Sequence, residues 1–410
     1  MKPLWLFVSL PASLFAQGPL APPGPPAPTQ KSLQEIWDKI GGLESTLAAQ
    51  QQQITLLQQQ NSILLESAGV PVPWRLMTVA LHGEAGLQAL AYSREGKPAI
   101  AYYDPTGGDL KYAAYDGTSW QVTPVDVTDN VGKSASLAFS PAGAPAIAYY
   151  DVTHADLKYA TRSGGTWSAV TVDSAGTVGS TCSLAFSPAG QPAIAYYDDS
   201  DGDIKHASFN GSTWQIVQVT TVTSDECEPS LAYSPSGQAG IAYQDGDLES
   251  IKLARLEGGT WEVETVDSRP VDGDQEYANP SLAFSPTGQA AVAYDHYSGT
   301  GILRVAIEDE GWIIDDAELA ADWGFKPSLA FSPLGIPSVS YSYDPFGDTG
   351  PLGFGQKHGE DWDNVDVGPL GNSAAASSLR FSPGGIAGIA YQHAPTGELR
   401  FAFRSAFTAP

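Results

Sequence analysis

The chain has 410 residues, with 20 basic against 46 acidic side chains for a formal charge of −26, and it carries 43 glycines, 31 prolines and two cysteines. Such acidity repels phosphate backbones and anionic lipid, which argues against nucleic acid and membrane surfaces as partners. Only 16% of residues are charged and 10% are aromatic, so most of the chain is expected to fold, and length alone suggests about two or three domains.

Residues 1–16 begin with Lys2 and continue as a mostly apolar run from Leu4 to Phe15. The run is too short to span a bilayer and sits where a secretory signal belongs, with cleavage expected after Ala16. No later stretch has the length of a transmembrane helix. The mature protein is therefore expected to be secreted, periplasmic or on the cell surface, with no integral membrane segment after cleavage. Residues 17–30 are dense in proline and read as a stiff polyproline II spacer.

Residues 31–68 change period. Leu33, Ile40, Leu47, Ile54 and Asn61 fall seven apart, and Ile36, Leu43, Gln50, Leu57 and Leu64 follow three later. These are the a and d positions of an α-helical coiled coil, a rod of roughly 55 Å. Asn61 and Gln50 in the seam would set register and stoichiometry, while Gly41 and Gly42 weaken the helix. A parallel homo-oligomer, dimer or trimer, is expected. The other reading is a single amphipathic helix lying on the downstream domain.

From residue 74 to 407 the sequence repeats. SLAFSP or a close variant places Leu90, Leu137, Leu184, Leu231, Leu282, Leu329 and Leu379 at intervals of 47 to 51 residues, and a tryptophan keeps nearly the same beat from Trp74 to Trp362. Each unit reads as four short strands, as in SLAFS, PAIAYYD, DLKYAT and WSAVTVD. This is the pattern of propeller blades. The fold expected is all-β, a seven-bladed propeller preceded by the coiled coil. Because Trp74 precedes the first SLAFS-like strand and the last repeat lacks a tryptophan strand, residues 74–79 should complete the seventh blade. That closure removes open sheet edges.

The turns joining first to second and third to fourth strands are nearly uniform and share one face. The other face carries the second-to-third turns and the crossovers, which vary and hold most of the acids, including Asp267 and Glu318. Binding is expected on that variable face. The recurring Trp and Tyr residues read as filler between blades, with sugar stacking as the other option. In Y-Y-D-x-x-x-x-D-[LI]-K, Asp104 should face Asp109, Asp151 face Asp156 and Asp198 face Asp203. Like charges so placed need an offset: turn hydrogen bonds, Lys111, Lys158 and Lys205, or a cation. Asp199, Asp201 and Asp203 are the weak Ca²⁺ candidates, and no other cofactor is implied. His82, His154, His296 and His393 belong to the same face, where His82, His393 and Glu84 form a possible Zn²⁺ or acid–base group. Cys182 and Cys227, at near-equivalent sites of consecutive repeats, are candidates for a disulfide or for two free thiols. No catalytic motif is present, so no catalytic residue is assigned.

With these units in view, the repeats resemble bacterial exported seven-bladed propellers of unassigned role. More distantly they resemble fucose-lectin and sialidase propellers. Of the sialidase S-x-D-x-G-x-x-W box only Gly164 with Trp167 and Gly211 with Trp214 are present; Ala160, Arg162, Ala207 and Phe209 replace its Ser and Asp. The expected function is a multivalent binding module for carbohydrate or protein. A polysaccharide lyase or glycosidase on the same face is the first alternative, and a structural envelope or matrix protein the second.

Overall fold

The computed structural model describes residues 35, 37–39, 50, 73–84, 89–222, 227–246, 250–268, 276–297, 301–320, 326–342, 351–368 and 374–404. The chain divides into two units, residues 1–57 and 58–410. In the first, Glu35, Trp37, Asp38, Lys39 and Gln50 are helical. Apart from these five residues, the signal segment, the spacer and the coiled-coil heptads lie outside the described residues. No helix among the described residues is long and apolar enough to cross a membrane.

The second unit is a seven-bladed propeller: seven four-stranded antiparallel sheets, six of them built from strands consecutive in sequence. Blade 1 runs from Leu90 to Asp126, blade 2 from Val131 to Asp173, blade 3 from Val178 to Thr221 and blade 4 from Ser230 to Ser268. Blade 5 runs from Glu276 to Ala320 and blade 6 from Ser328 to Asp366. Blade 7 takes Ala374–Phe381, Ala387–His393 and Glu398–Arg404, and its outer strand is Trp74–Ala80. Trp74 pairs with Arg404 and Met77 with Phe401, so the start of the domain closes its end.

The alternation in PAIAYY explains how blades stack. Ala99 and Ala101 leave one side of blade 1 shallow, and Leu137, Ile147 and Tyr149 of blade 2 fill it in one buried cluster. Ala146 and Ala148 then face Leu184, Ile194 and Tyr196 of blade 3. Successive Cβ atoms of a strand point to opposite faces, so one hexapeptide supplies both hole and knob. Five outer-strand tryptophans meet a ring on the preceding blade, among them Trp167 at 5.1 Å from Tyr112, Trp214 at 5.1 Å from Tyr159 and Trp120 at 5.3 Å from Phe401, all edge to face, whereas Trp312 and Trp362 pack against the aliphatic clusters of Leu253 and Val305. The recurring aromatics are thus inter-blade packing, a geometry that adds to simple area burial.

Two further devices repeat. In the S-P-x-G turns the glycine takes a left-handed φ, +88° at Gly143 and +85° at Gly190, which residues with a Cβ adopt only at a cost. Gly143 N donates to Ser140 O, and Ser140 Oγ accepts from Ala144 N at 3.1 Å. At the axis, the serine of SLAFS accepts from the leucine N–H of the following blade. Leu184 N meets Ser136 Oγ at 2.9 Å, Leu231 N meets Ser183 Oγ at 2.8 Å and Leu379 N meets Ser328 Oγ at 3.0 Å. Leu282, Leu329 and Leu90 repeat the bond to Ser230, Ser281 and Ser378. In blade 1 the serine position is Ala89.

Ser328→Ala should leave the Leu379 N–H without its acceptor in a buried setting. A loss of about 1–3 kcal/mol is expected, read as a lowered denaturant midpoint at unchanged m-value.

Candidate functional site

The aspartate pairs stand in the expected register. Asp104 is opposite Asp109, Asp151 opposite Asp156 and Asp198 opposite Asp203. Their charge is offset from within. Lys111 pairs with Asp104 and Lys205 with Asp198. Lys158 Nζ lies 2.7 Å from Asp126 and 3.6 Å from Asp151. The same carboxylates cap their turns: Asp104 accepts from Thr106 N, Asp151 from Thr153 N and His154 N, and Asp198 from Ser200 N and Asp201 N. Burial pushes the Asp104 carboxyl up, but Lys111 and the Thr106 N–H outweigh it and hold the group below its usual value. The Asp156 carboxyl is raised, first by burial and then by Asp151.

Other acids of this face brace neighbouring blades. Tyr149 Oη donates to Asp126 at 2.6 Å, Tyr196 Oη to Asp173 at 2.6 Å and Tyr294 Oη to Asp267 at 2.7 Å. Tyr341 donates to Glu318 at 3.2 Å. Each bond ties a second strand to the end of the preceding blade's outer strand. Arg304 adds a second contact to Asp267 at 3.1 Å. Among the described residues, these carboxylates are engaged in holding the ring together.

The calcium candidates diverge. Asp199 accepts from Ser180 Oγ at 2.7 Å, Asp203 accepts from Gln218 and Thr221, and Asp201 is exposed beside Lys205. Among the described residues no group of three or more His, Cys, Asp or Glu is arranged to hold a metal. His82 is exposed, whereas His393 is buried with Nδ1 2.8 Å from Thr396 Oγ1. His154 contacts Asp151 at 3.1 Å. His296 is buried, and its pKa is lowered by burial and then by Arg304.

The cysteines do not form the disulfide considered from the sequence; both are free thiols. Cys182 Sγ turns to Ser134 O at 3.2 Å and Cys227 Sγ to Gln244 O at 3.6 Å. They belong to different inter-blade layers, so neighbouring inner strands aim the sulfurs apart. Burial raises both to about 12.

Three concavities stand out among the described residues. The first is the variable-face mouth of the central channel, a cavity of about 180 Å³ lined in part by Cys182, Glu228, Ser281 and Lys326. Beside it lies Asp295, 3% exposed. Its Oδ2 accepts from Asn279 Nδ2 at 2.8 Å and from Lys326 N at 3.3 Å, while Oδ1 is buried with no partner among the described residues. Burial, reinforced by Glu228, raises this carboxyl to about 7, a value suited to proton transfer near neutrality. The second is a groove of about 690 Å³ between blades 2 and 3, opening toward the uniform turns. Tyr159, Phe186 and Trp214 wall it, with Thr161, Ser168, Gln191 and Asn210 among its polar groups and no charged side chain in its lining. The third is the channel mouth on the uniform face, about 810 Å³, lined by SLAFSP segments of all seven blades.

Sequence reading missed Asp295, His206 and Arg380 because it followed the consensus. The signal was departure from it. Asp295 stands where blades 2 and 3 have Tyr150 and Tyr197, and His206 stands where blades 1 and 2 have Tyr112 and Tyr159. Burial lowers His206 to about 4, which keeps it neutral against Trp261 at 5.1 Å.

No family model matches the chain, and no curated protein is detectably similar to it. Among solved structures, a polysaccharide lyase of family PL25, an ulvan lyase, superposes with a TM-score of 0.59 at 13% identity, covering 80% of this chain and 95% of the lyase. The same lyase bound to -[GlcA(1-4)Rha3S]- gives 0.58, with the same identity and coverage. The SapL1 lectin in complex with alpha methyl fucoside gives 0.46 at 11% identity, covering 71% of this chain and 97% of the lectin. The likeness is one of fold. At such identities the residues of a site do not transfer.

The raised Asp295 carboxyl makes a signed prediction. Its favourable contribution is present below the unfolded value near 3.8 and is lost as pH rises through about 7, a swing on the order of 4 kcal/mol. Asp295→Asn should therefore stabilise the protein more at pH 8 than at pH 5, measured as the difference in Tm from the parent chain at each pH.

Proposed function

We propose that the protein is a carbohydrate-binding propeller that takes a neutral sugar in the groove between blades 2 and 3. One observation carries this reading. In a chain of formal charge −26, a groove of about 690 Å³ is lined by aromatic rings, hydroxyls and amides with no charged group. Sugars present apolar C–H faces and a rim of hydroxyls. Aromatic planes cover the former, while Ser, Thr, Asn and Gln donate to and accept from the latter. Placing the ligand here moves it off the acidic face, whose carboxylates serve Lys111, Lys158, Lys205 and the tyrosine struts.

The N-terminal pattern supports export and display as an oligomer on a coiled-coil stalk. Linked copies would gain avidity for a repeating polymer, provided the stalk lets two propellers bind at once. A second reading, an enzyme acting on polysaccharide, is favoured by Asp295. It is a buried carboxyl beside Glu228, 2.8 Å from Asn279, at the other mouth of the channel. Retention of any polysaccharide-cleaving activity by Asp295→Asn would count against that role.

Titration with neutral mono- and oligosaccharides should quench tryptophan fluorescence through Trp214. Gln191→Ala is expected to weaken binding about 5- to 10-fold at unchanged Tm, the effect of one lost hydrogen bond. No binding across a neutral glycan panel would overturn the reading. Deleting residues 31–68 should reduce the mass in light scattering to that of a monomer and should weaken binding to immobilised polymer far more than to free sugar.

A further inference from the structure

The uniform-face mouth of the channel differs from the rest of the molecule in charge. Its lining includes Arg94 and Arg380 and no Asp or Glu, although acids outnumber bases by more than two to one in the chain. Glu95 and Lys97 stand beside Arg94 on the same exposed turn, outside the lining. Every blade contributes one half-buried ring to the wall, Tyr92, Phe139 and Phe186 among them.

Arg380 breaks the repeat. The corresponding inner-strand position is alanine in the other six blades, as at Ala138, Ala185 and Ala330. Its guanidinium is placed by strand geometry. Leu379 N donates to Ser328 of the preceding blade and so points off the free edge of the strand, toward the axis. In a strand the N–H and C=O of one residue point the same way, so Leu379 O also faces the channel. Arg380 Nη1 donates to that oxygen at 2.7 Å, which puts the guanidinium in the channel itself. One of five donors is thereby used. Among the described residues no carboxylate pairs with Arg380. Loss of solvent around it lowers its pKa to about 10, so it remains a cation at neutral pH.

We infer that this mouth is a second ligand site, selective for a carboxylate-bearing sugar such as a uronic acid residue. A planar guanidinium with free N–H groups matches a carboxylate in a fork. No acid belongs to the lining around it, and the ring of aromatic side chains offers faces for a pyranose. The uronate part rests on the carbohydrate reading above, whereas the anion part stands on Arg380 alone. Arg380→Ala is the discriminating variant, because alanine is what the other six blades carry and the fold should be retained.

The test is calorimetric titration of the full chain with sodium glucuronate, methyl glucoside and sodium acetate. Glucuronate is expected to bind at least about tenfold more tightly than either of the others, the size of one charge-assisted hydrogen bond. Added salt should weaken it, and Arg380→Ala should erase the preference at unchanged Tm. Equal affinity for glucuronate and glucoside, or a preference that survives Arg380→Ala, overturns the inference. Acetate binding as tightly as glucuronate overturns the sugar part. If a neutral sugar binds through Gln191 while glucuronate shows no preference, this site fails and the groove stands. If glucuronate is preferred and no neutral sugar binds, the groove fails and this site stands.

Discussion

The innermost strand of each four-stranded blade has an edge that meets no neighbour in its own sheet, and seven such edges converge on the axis. Backbone groups there would lack partners in a confined space, which is costly. The structure answers with a side chain: the serine of each SLAFS unit accepts the leucine N–H of the next blade, at six of the junctions around the ring. This bond joins blades that share no backbone ladder. At the seventh junction, where Ala89 replaces the serine, Leu137 is buried in its layer without this bond.

Around that inner ring lie the alanine-to-tyrosine layers, and outside them the tyrosine–carboxylate struts. Tyr149 with Asp126 and Tyr294 with Asp267 show the same construction in separate blades. The hydroxyl of a buried ring finds an acceptor on the preceding blade, and Lys158 or Arg304 neutralises that acceptor. A charge of −26 is compatible with a closed ring because many acids are paired across or within blades. Two of the three concavities described are poor in acids, the neutral groove between blades 2 and 3 and the arginine-bearing channel mouth, while the third carries Glu228 with Asp295 beside it.

Much of this was legible in the repeat. Seven leucines at near-equal spacing, four strand-like segments per unit and an outlying Trp74 were enough to anticipate blade number and closure. The opposed aspartates and their lysine partners also followed, because a four-residue turn fixes which residues face each other. The cysteines were harder. Near-equivalent positions in consecutive repeats suggest proximity, yet Cys182 and Cys227 face different layers. The candidate sites were harder still. Asp295 and Arg380 are single departures from a consensus, and a periodic reading treats such departures as noise.

The sequence by itself determined the fold, because strand period, turn chemistry and blade spacing are local properties repeated seven times and mutually reinforcing. It also determined that the chain is strongly acidic, and it led to the expectation that the acidic face binds. Only the tertiary structure decided how that charge is used. Whether a carboxylate is free for a ligand depends on which cation or hydroxyl lies opposite, and for Asp126 and Asp267 that partner comes from the next blade. The same holds for Arg380. Its isolation among rings and carbonyls at the axis is a product of seven strands converging, which no single repeat encodes.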